Sequence, residues 1–308
     1  MSKHTISRRQ LLQSAAAGTV SLALQDSSRA EAVFQFEYIV ASSMYGRLPI
    51  AEVVAEVRKT DAEHIDIWPE RHANHREQIE KMGHDAFASL LDKHKVKVGI
   101  YTVYNPGLHR CQPWMPVAKK FGGTMLIANA GINKKVKGDA AKKAVAQYIE
   151  RLKPVIARAE ELDLLIGVEN HSGSFVNQPE NQTLFLDMVK SERVGIALAP
   201  YHIDQDSKML AAHIEKLGDR LFHFYAWQHG MGCMKKLPKE QELLQMPGRG
   251  DLDFTPIAAA LKKIKYSHWV QPFMHPVPRG IPILPTASEV SAEINRAQKY
   301  LEKCLKRA

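Results

Sequence analysis

Leu164-Leu165-Ile166-Gly167-Val168, followed at once by Glu169-Asn170-His171-Ser172-Gly173, is the stretch that decides the fold. An apolar run of strand length halts abruptly in polar, chemistry-bearing residues. Seven other runs end in the same way, at residues 34–40, 64–68, 96–103, 124–128, 194–198, 221–227 and 268–273. Most are β-branched or aromatic and few alternate strictly, as expected of strands buried on both faces of a parallel sheet. The segments between them carry apolar residues at three- and four-residue spacing. The clearest stripe is Ala141, Ala144, Val145, Tyr148, Ile149, Leu152, Val155, Ile156 and Ala159, an amphipathic helix in which Pro154 predicts a kink. Eight alternating units predict a (β/α)8 TIM barrel of the α/β class, which takes ~250 residues and carries its chemistry at the strand ends. The rival is a doubly wound open sheet. Its phosphate-binding fingerprint is missing, since no GxGxxG follows the first strand.

The chain has 308 residues, 45% of them hydrophobic, enough for one large core, and no Gly/Ser-rich or Pro-rich stretch divides it. Residues 231–250 form the longest strand-poor insertion, and long insertions on barrels usually cover the active face. Residues 1–32 read as an address: Ser7-Arg8-Arg9-Gln10-Leu11-Leu12, an apolar stretch at 15–24, and Ala30-Glu31-Ala32 as a small-x-small cleavage site. This resembles a twin-arginine export signal, the alternative being a basic tail, and it predicts an exported, periplasmic barrel at 33–308. Cargo of that route crosses folded, which would allow a cofactor to be loaded beforehand. Nothing later in the chain reaches the ~18 uninterrupted apolar residues of a membrane span.

The formal charge is +9; without the first 32 residues, which hold four basic and two acidic side chains, it is +7. Much of the excess lies in scattered lysines: Lys119, Lys120, Lys134, Lys135, Lys137, Lys142 and Lys143. With no aromatic-interleaved basic groove, they read as a solvated face rather than a nucleic-acid surface. Cys111, Cys233 and Cys304 show no CxxC spacing, so neither a zinc site nor a disulfide framework is indicated, although one bridge is open in an oxidising compartment.

A family resemblance rests on successive landmarks: Val168-Glu169-Asn170-His171, Gly195-Ile196-Ala197-Leu198-Ala199-Pro200-Tyr201-His202, Leu221-Phe222-His223-Phe224-Tyr225, Pro247-Gly248-Arg249-Gly250-Asp251-Leu252-Asp253-Phe254 and Val270-Gln271-Pro272-Phe273. Together they resemble the xylose isomerase-like barrel superfamily of sugar and sugar-phosphate isomerases and epimerases, inosose dehydratases and, more distantly, endonuclease IV. Members similar to ketose epimerases hold a divalent metal with Glu, Asp, His and Glu from strands five to eight. By position these fall at Glu169, Ala199, Tyr225 and Gln271, so three of four depart from the pattern. Alanine cannot bind a metal, glutamine is a weak neutral ligand, and a phenol would have to lose its proton. The site is therefore expected to be altered or absent, or rebuilt around His171, His202, His223, His229 and His275 at the strand ends. A rebuilt site would hold Mn, Mg, Zn or Fe on Glu169, His202 and Gln271.

The resemblance implies Glu169 and His202 as catalytic groups at a hollow shared with Tyr225 and Gln271. Asp66, His171, Tyr225, Trp227, Arg249 and Arg279 are the candidate substrate contacts. Asp66 either meets a sugar hydroxyl or pairs with a buried partner. Trp227 and Tyr225 are either a platform for a sugar ring or plain core. Arg279 follows strand eight, where barrels often bind anions, and Arg249 sits in a Gly-flanked turn whose glycines first serve tight geometry. Three functions stay open: a sugar isomerase or epimerase acting by proton transfer beside a carbonyl, an exported sugar-binding barrel without turnover, and an endonuclease IV-like nuclease. A small carbohydrate is the expected partner.

Overall fold

The computed structural model describes residues 33–131 and 135–308. The export-signal reading of residues 1–32, and Lys134, lie outside the described residues. Among these, eight parallel strands close into a barrel in chain order: β1 (Glu37–Ala41), β2 (Ala62–Ile67), β3 (Lys97–Thr102), β4 (Met125–Asn129), β5 (Leu165–Glu169), β6 (Val194–Leu198), β7 (Leu221–Ala226) and β8 (Trp269–Pro272). The first and last strands meet in the register Glu37 to Trp269 and Tyr38 to Val270, which closes the cylinder and excludes the open sheet.

Each apolar run yields its strand, shifted by a few residues at most. The largest shift is at β1, where Phe34 and Phe36 lie before the strand and pack edge to face at 5.7 Å. The stripe expected of a helix falls in Gly138–Glu161, with Ala141, Val145, Tyr148, Leu152, Val155 and Ala159 buried; the helix is assigned as continuous through Pro154.

The last helix, Ala287–Arg307, opens with a capping box in which Thr286 and Glu289 satisfy each other's backbone N–H groups. It buries Val290, Ile294, Ala297 and Leu301 against the barrel. The Pro-Gly-Arg-Gly turn docks on it. Gly248 has φ +75°, and a Cβ there would strike the Tyr300 ring at 2.5 Å. Arg249 donates two hydrogen bonds to Glu293, at 2.7 and 2.6 Å, so its guanidinium is committed to the helix rather than to a substrate. This corrects the expectation for Arg249.

Within residues 231–250, the helix Lys239–Glu242 and the turn Leu243–Gln245 sit over the strand ends. Gln245 accepts from the Trp227 indole at 3.0 Å and donates to the His275 carbonyl at 3.0 Å, tying the insertion to β7 and β8. Cys111, Cys233 and Cys304 are buried free thiols, so no bridge forms among them.

Candidate active site

The three residues that end β5 divide the work. Glu169 pairs in register with Asn129 on β4 and Ala197 on β6, at the rim of the barrel. Asn170 clips the strand ends together: its Oδ1 accepts from the Ala199 N–H at 2.6 Å and its Nδ2 donates to the Ala199 carbonyl at 3.0 Å. That clip fixes the short turn Pro200–His202. His202 Nε2 consequently stands 3.4 Å from Glu169 Oε1, close but without hydrogen-bond geometry. His171 lies against His202, ring centroids 4.4 Å apart.

Burial raises Glu169 to about 7, partly countered by His171. Burial likewise lowers His202 to about 3, so its imidazole is neutral at physiological pH. Glu169 Oε2 and both His202 nitrogens find no hydrogen-bond partner among the described residues. Orphaned polar atoms are expensive when buried, and here the residues that carry them line a cavity of about 590 Å³.

The cavity walls are aromatic. Trp227 stacks on Tyr201 with centroids 3.9 Å apart and an 11° interplanar angle, and presents its edge to His202 and His275. His72 and His275 stack at 4.3 Å. Arg279 and Cys233 also line the wall.

Beneath this floor the barrel interior holds a polar network. Asp66, fully buried, accepts from Thr102 Oγ1 at 2.8 Å, from the Trp68 indole at 2.5 Å and from Gln271 Nε2 at 3.1 Å. Gln271 Oε1 lies 3.1 Å from His223 Nε2. Burial outweighs the three donors and raises Asp66 to about 7. Tyr225 faces His223 on the same strand, and its hydroxyl, without a partner among the described residues, feels the charges of Glu169 and Asp66.

Of the residues expected at the hollow, Glu169, His202, His171, Trp227 and Arg279 line it. Asp66, Tyr225 and Gln271 lie inside the barrel, outside the cavity lining, and Asp66 has the buried-partner role. The sequence reading missed His72 and Tyr104, which follow β2 and β3, and Tyr201. The signal was available, because His72 and Tyr104 lie beyond strand ends just as His171 does.

A divalent metal on the four strand-end positions does not fit these residues. Ala199 offers no side-chain donor, both atoms of the Gln271 amide are engaged by His223 and Asp66, and the Tyr225 phenol is driven well above its ordinary pKa by burial. Among the described residues no three His, Cys, Asp or Glu side chains gather where a metal could sit. Glu169 alone could supply an anionic ligand at those positions.

A closed barrel with an acid and an imidazole at the ends of β5 and β6 defines a class, and the family comparison agrees. Residues 54–282 match the xylose isomerase-like TIM barrel family, to which the chain belongs. A D-psicose 3-epimerase from Enterocloster bolteae is 30% identical over 138 residues, 44% of this chain and 40% of the relative, so the chain spans less than half of that relative's length. D-Psicose 3-epimerase from Clostridium cellulolyticum H10, solved with D-tagatose, shares the fold at 15% identity and TM-score 0.65, covering 87% of this chain and 99% of that one. The IOLI protein, solved with a bound zinc atom, matches at 18% identity and TM-score 0.65, covering 88% and 98%. Among the described residues no helix is long and apolar enough to cross a membrane.

Proposed function

We propose that the protein is an isomerase or epimerase of a sugar or sugar phosphate, moving a proton at a carbon beside a carbonyl with Glu169 as the base. The observation that carries this is the Glu169 carboxylate, buried at the cavity floor with one oxygen unpartnered and its pKa raised to about 7. A carboxylate near neutrality holds a useful fraction of base while accepting a proton readily. Proton removal puts negative charge on the carbonyl oxygen. His202, neutral and with unpartnered ring nitrogens, is placed to donate a hydrogen bond to it. The stacked Trp227 and Tyr201 rings offer an apolar face to a sugar ring. The likeness to a D-psicose 3-epimerase supports a ketose-like substrate. The proposed mechanism takes no step through a metal on the strand-end positions, and the address read in residues 1–32 would put the activity in the periplasm.

The alternative of a sugar-binding barrel without turnover is favoured by the replacement of metal donors at Ala199, Tyr225 and Gln271. A nuclease needs a dense set of metal ligands, which the donor set does not support. Exchange of a substrate C–H with D2O, followed by NMR on ketoses and ketose phosphates beginning with D-psicose, separates the first two. The enzyme reading expects exchange in the native chain, its loss in Glu169→Gln, and sugar affinity retained within about threefold. Tight binding with no exchange in the native chain would establish the binding module instead.

A further inference from the structure

The cavity lining carries a fixed cation that the proposed proton transfer does not need. Its acidic lining residues, Glu169, Glu180 and Asp204, lie on the side of β5 and β6, and Lys135, from the segment after β4, also lines it. On the other side, formed by the segments after β8 and β2, stand Arg279, His275 and His72. Arg279 Nη1 donates to the Pro276 carbonyl at 2.5 Å, and Nη2 donates to the Cys233 carbonyl and Sγ, each at 3.0 Å. These acceptors are neutral. Among the described residues Arg279 makes no ion pair, whereas Arg249 and Arg296 both meet Glu293. Its guanidinium is held in place by these three hydrogen bonds.

Burial is the main reason that His72 and His275 stay uncharged; Arg279, His171 and Arg71 add to it at His72, and His72, Arg279, His202 and His171 add to it at His275. The nearby Glu70 is turned to Arg47, at 3.6 Å.

We propose that Arg279, His72 and His275 form a subsite for an oxyanion carried by the substrate, a carboxylate or phosphate on the sugar, on the side of the cavity formed by the segments after β8 and β2. A planar guanidinium whose N–H groups are aimed by fixed acceptors suits either anion. The neighbouring imidazoles supply further donors and gain a compensating charge when the anion arrives. That the anion rides on a sugar rests on the functional reading above; the subsite itself does not.

The test is calorimetric titration of the full chain with D-glucuronate, D-glucose 6-phosphate and D-glucose at low salt. At least one charged sugar is expected to bind about tenfold or more tighter than glucose, as befits a charge-assisted contact. Whichever carries the preference identifies the anion as carboxylate or phosphate. Arg279→Gln should erase the preference, Arg279→Lys should keep part of it, and Glu169→Gln should leave it within about twofold. Because Arg279 also holds the Cys233 segment, His72→Asn is the second variant, expected to weaken only the charged sugar, by about threefold. Glucose binding as tightly as both charged sugars, or a preference that survives both Arg279→Gln and His72→Asn, overturns the subsite. Tight anion binding with no proton exchange would remove the catalytic reading and leave the subsite standing.

Discussion

Glu169 is held in a place that favours its protonated form, and this has a sign that can be measured. Its folded pKa lies near 7, against 4.5 for an ordinary glutamate. Between those values the unfolded chain has released a proton that the native state keeps, so stability falls as pH rises through the window and the penalty is complete above about 7. Glu169→Gln should therefore be more stable than the native chain at pH 8, by roughly 2 kcal/mol, with the difference vanishing near pH 4. Urea unfolding at the two pH values checks it. The same residue scale governs metal content: with Ala199, Tyr225 and Gln271 at the strand ends, elemental analysis after dialysis against Mn2+ should find well under one ion per chain, and chelation should not change sugar binding. Glu169, His171 and His202 were legible in the sequence because a strand end announces itself locally. The Asp66–Gln271–His223 network was not, because it is assembled from three strands and which side chains point inward is settled only by closure of the barrel.

At the scale of elements, the apolar runs fixed every strand because a strand buried on both faces has a composition visible in five or six residues. Their boundaries moved where aromatic residues continue the pattern past the last ladder bond, as Trp68 and Trp227 do. The Pro247–Gly250 turn was recognisable as a landmark, but its task was not, since the partner of Arg249 lies on a helix 44 residues further on. That task is to dock the last helix. Gly248→Ala would combine a left-handed backbone with a contact to Tyr300, and should destabilise by about 2 kcal/mol or more. Arg249→Ala should lower stability by about 1–2 kcal/mol by leaving Glu293 with Arg296 alone. Sugar affinity in Arg249→Ala should equal that of the native chain; a loss measured by titration would return Arg249 to the cavity.

For the whole molecule, the decisive feature is how many imidazoles the barrel holds neutral. Burial lowers His72, His75 and His213 to about 4, His202 and His223 to about 3, and His275 well below its ordinary value. In the unfolded chain these groups take up protons near 6.5, while the native chain refuses them until far lower pH. Their effect is full stability above about 6.5, lost progressively as pH falls towards the folded values. Asp66 and Glu169 work in the opposite sense, retaining native protons up to about 7. The histidines outnumber them, so between pH 6.5 and 4.5 unfolding takes up protons and stability must drop with acidity. The expected slope is several kcal/mol per pH unit, reduced by solvent access to His213 and other half-screened rings. Stability should therefore peak close to neutrality, and the urea midpoint at pH 5 should lie far below that at pH 7, with native ellipticity retained at pH 5 before denaturant is added. A midpoint that is level or rises towards pH 5 would mean that water or a counter-charge reaches these rings in the native state, and the neutral His202 on which its proposed role depends would be lost with it.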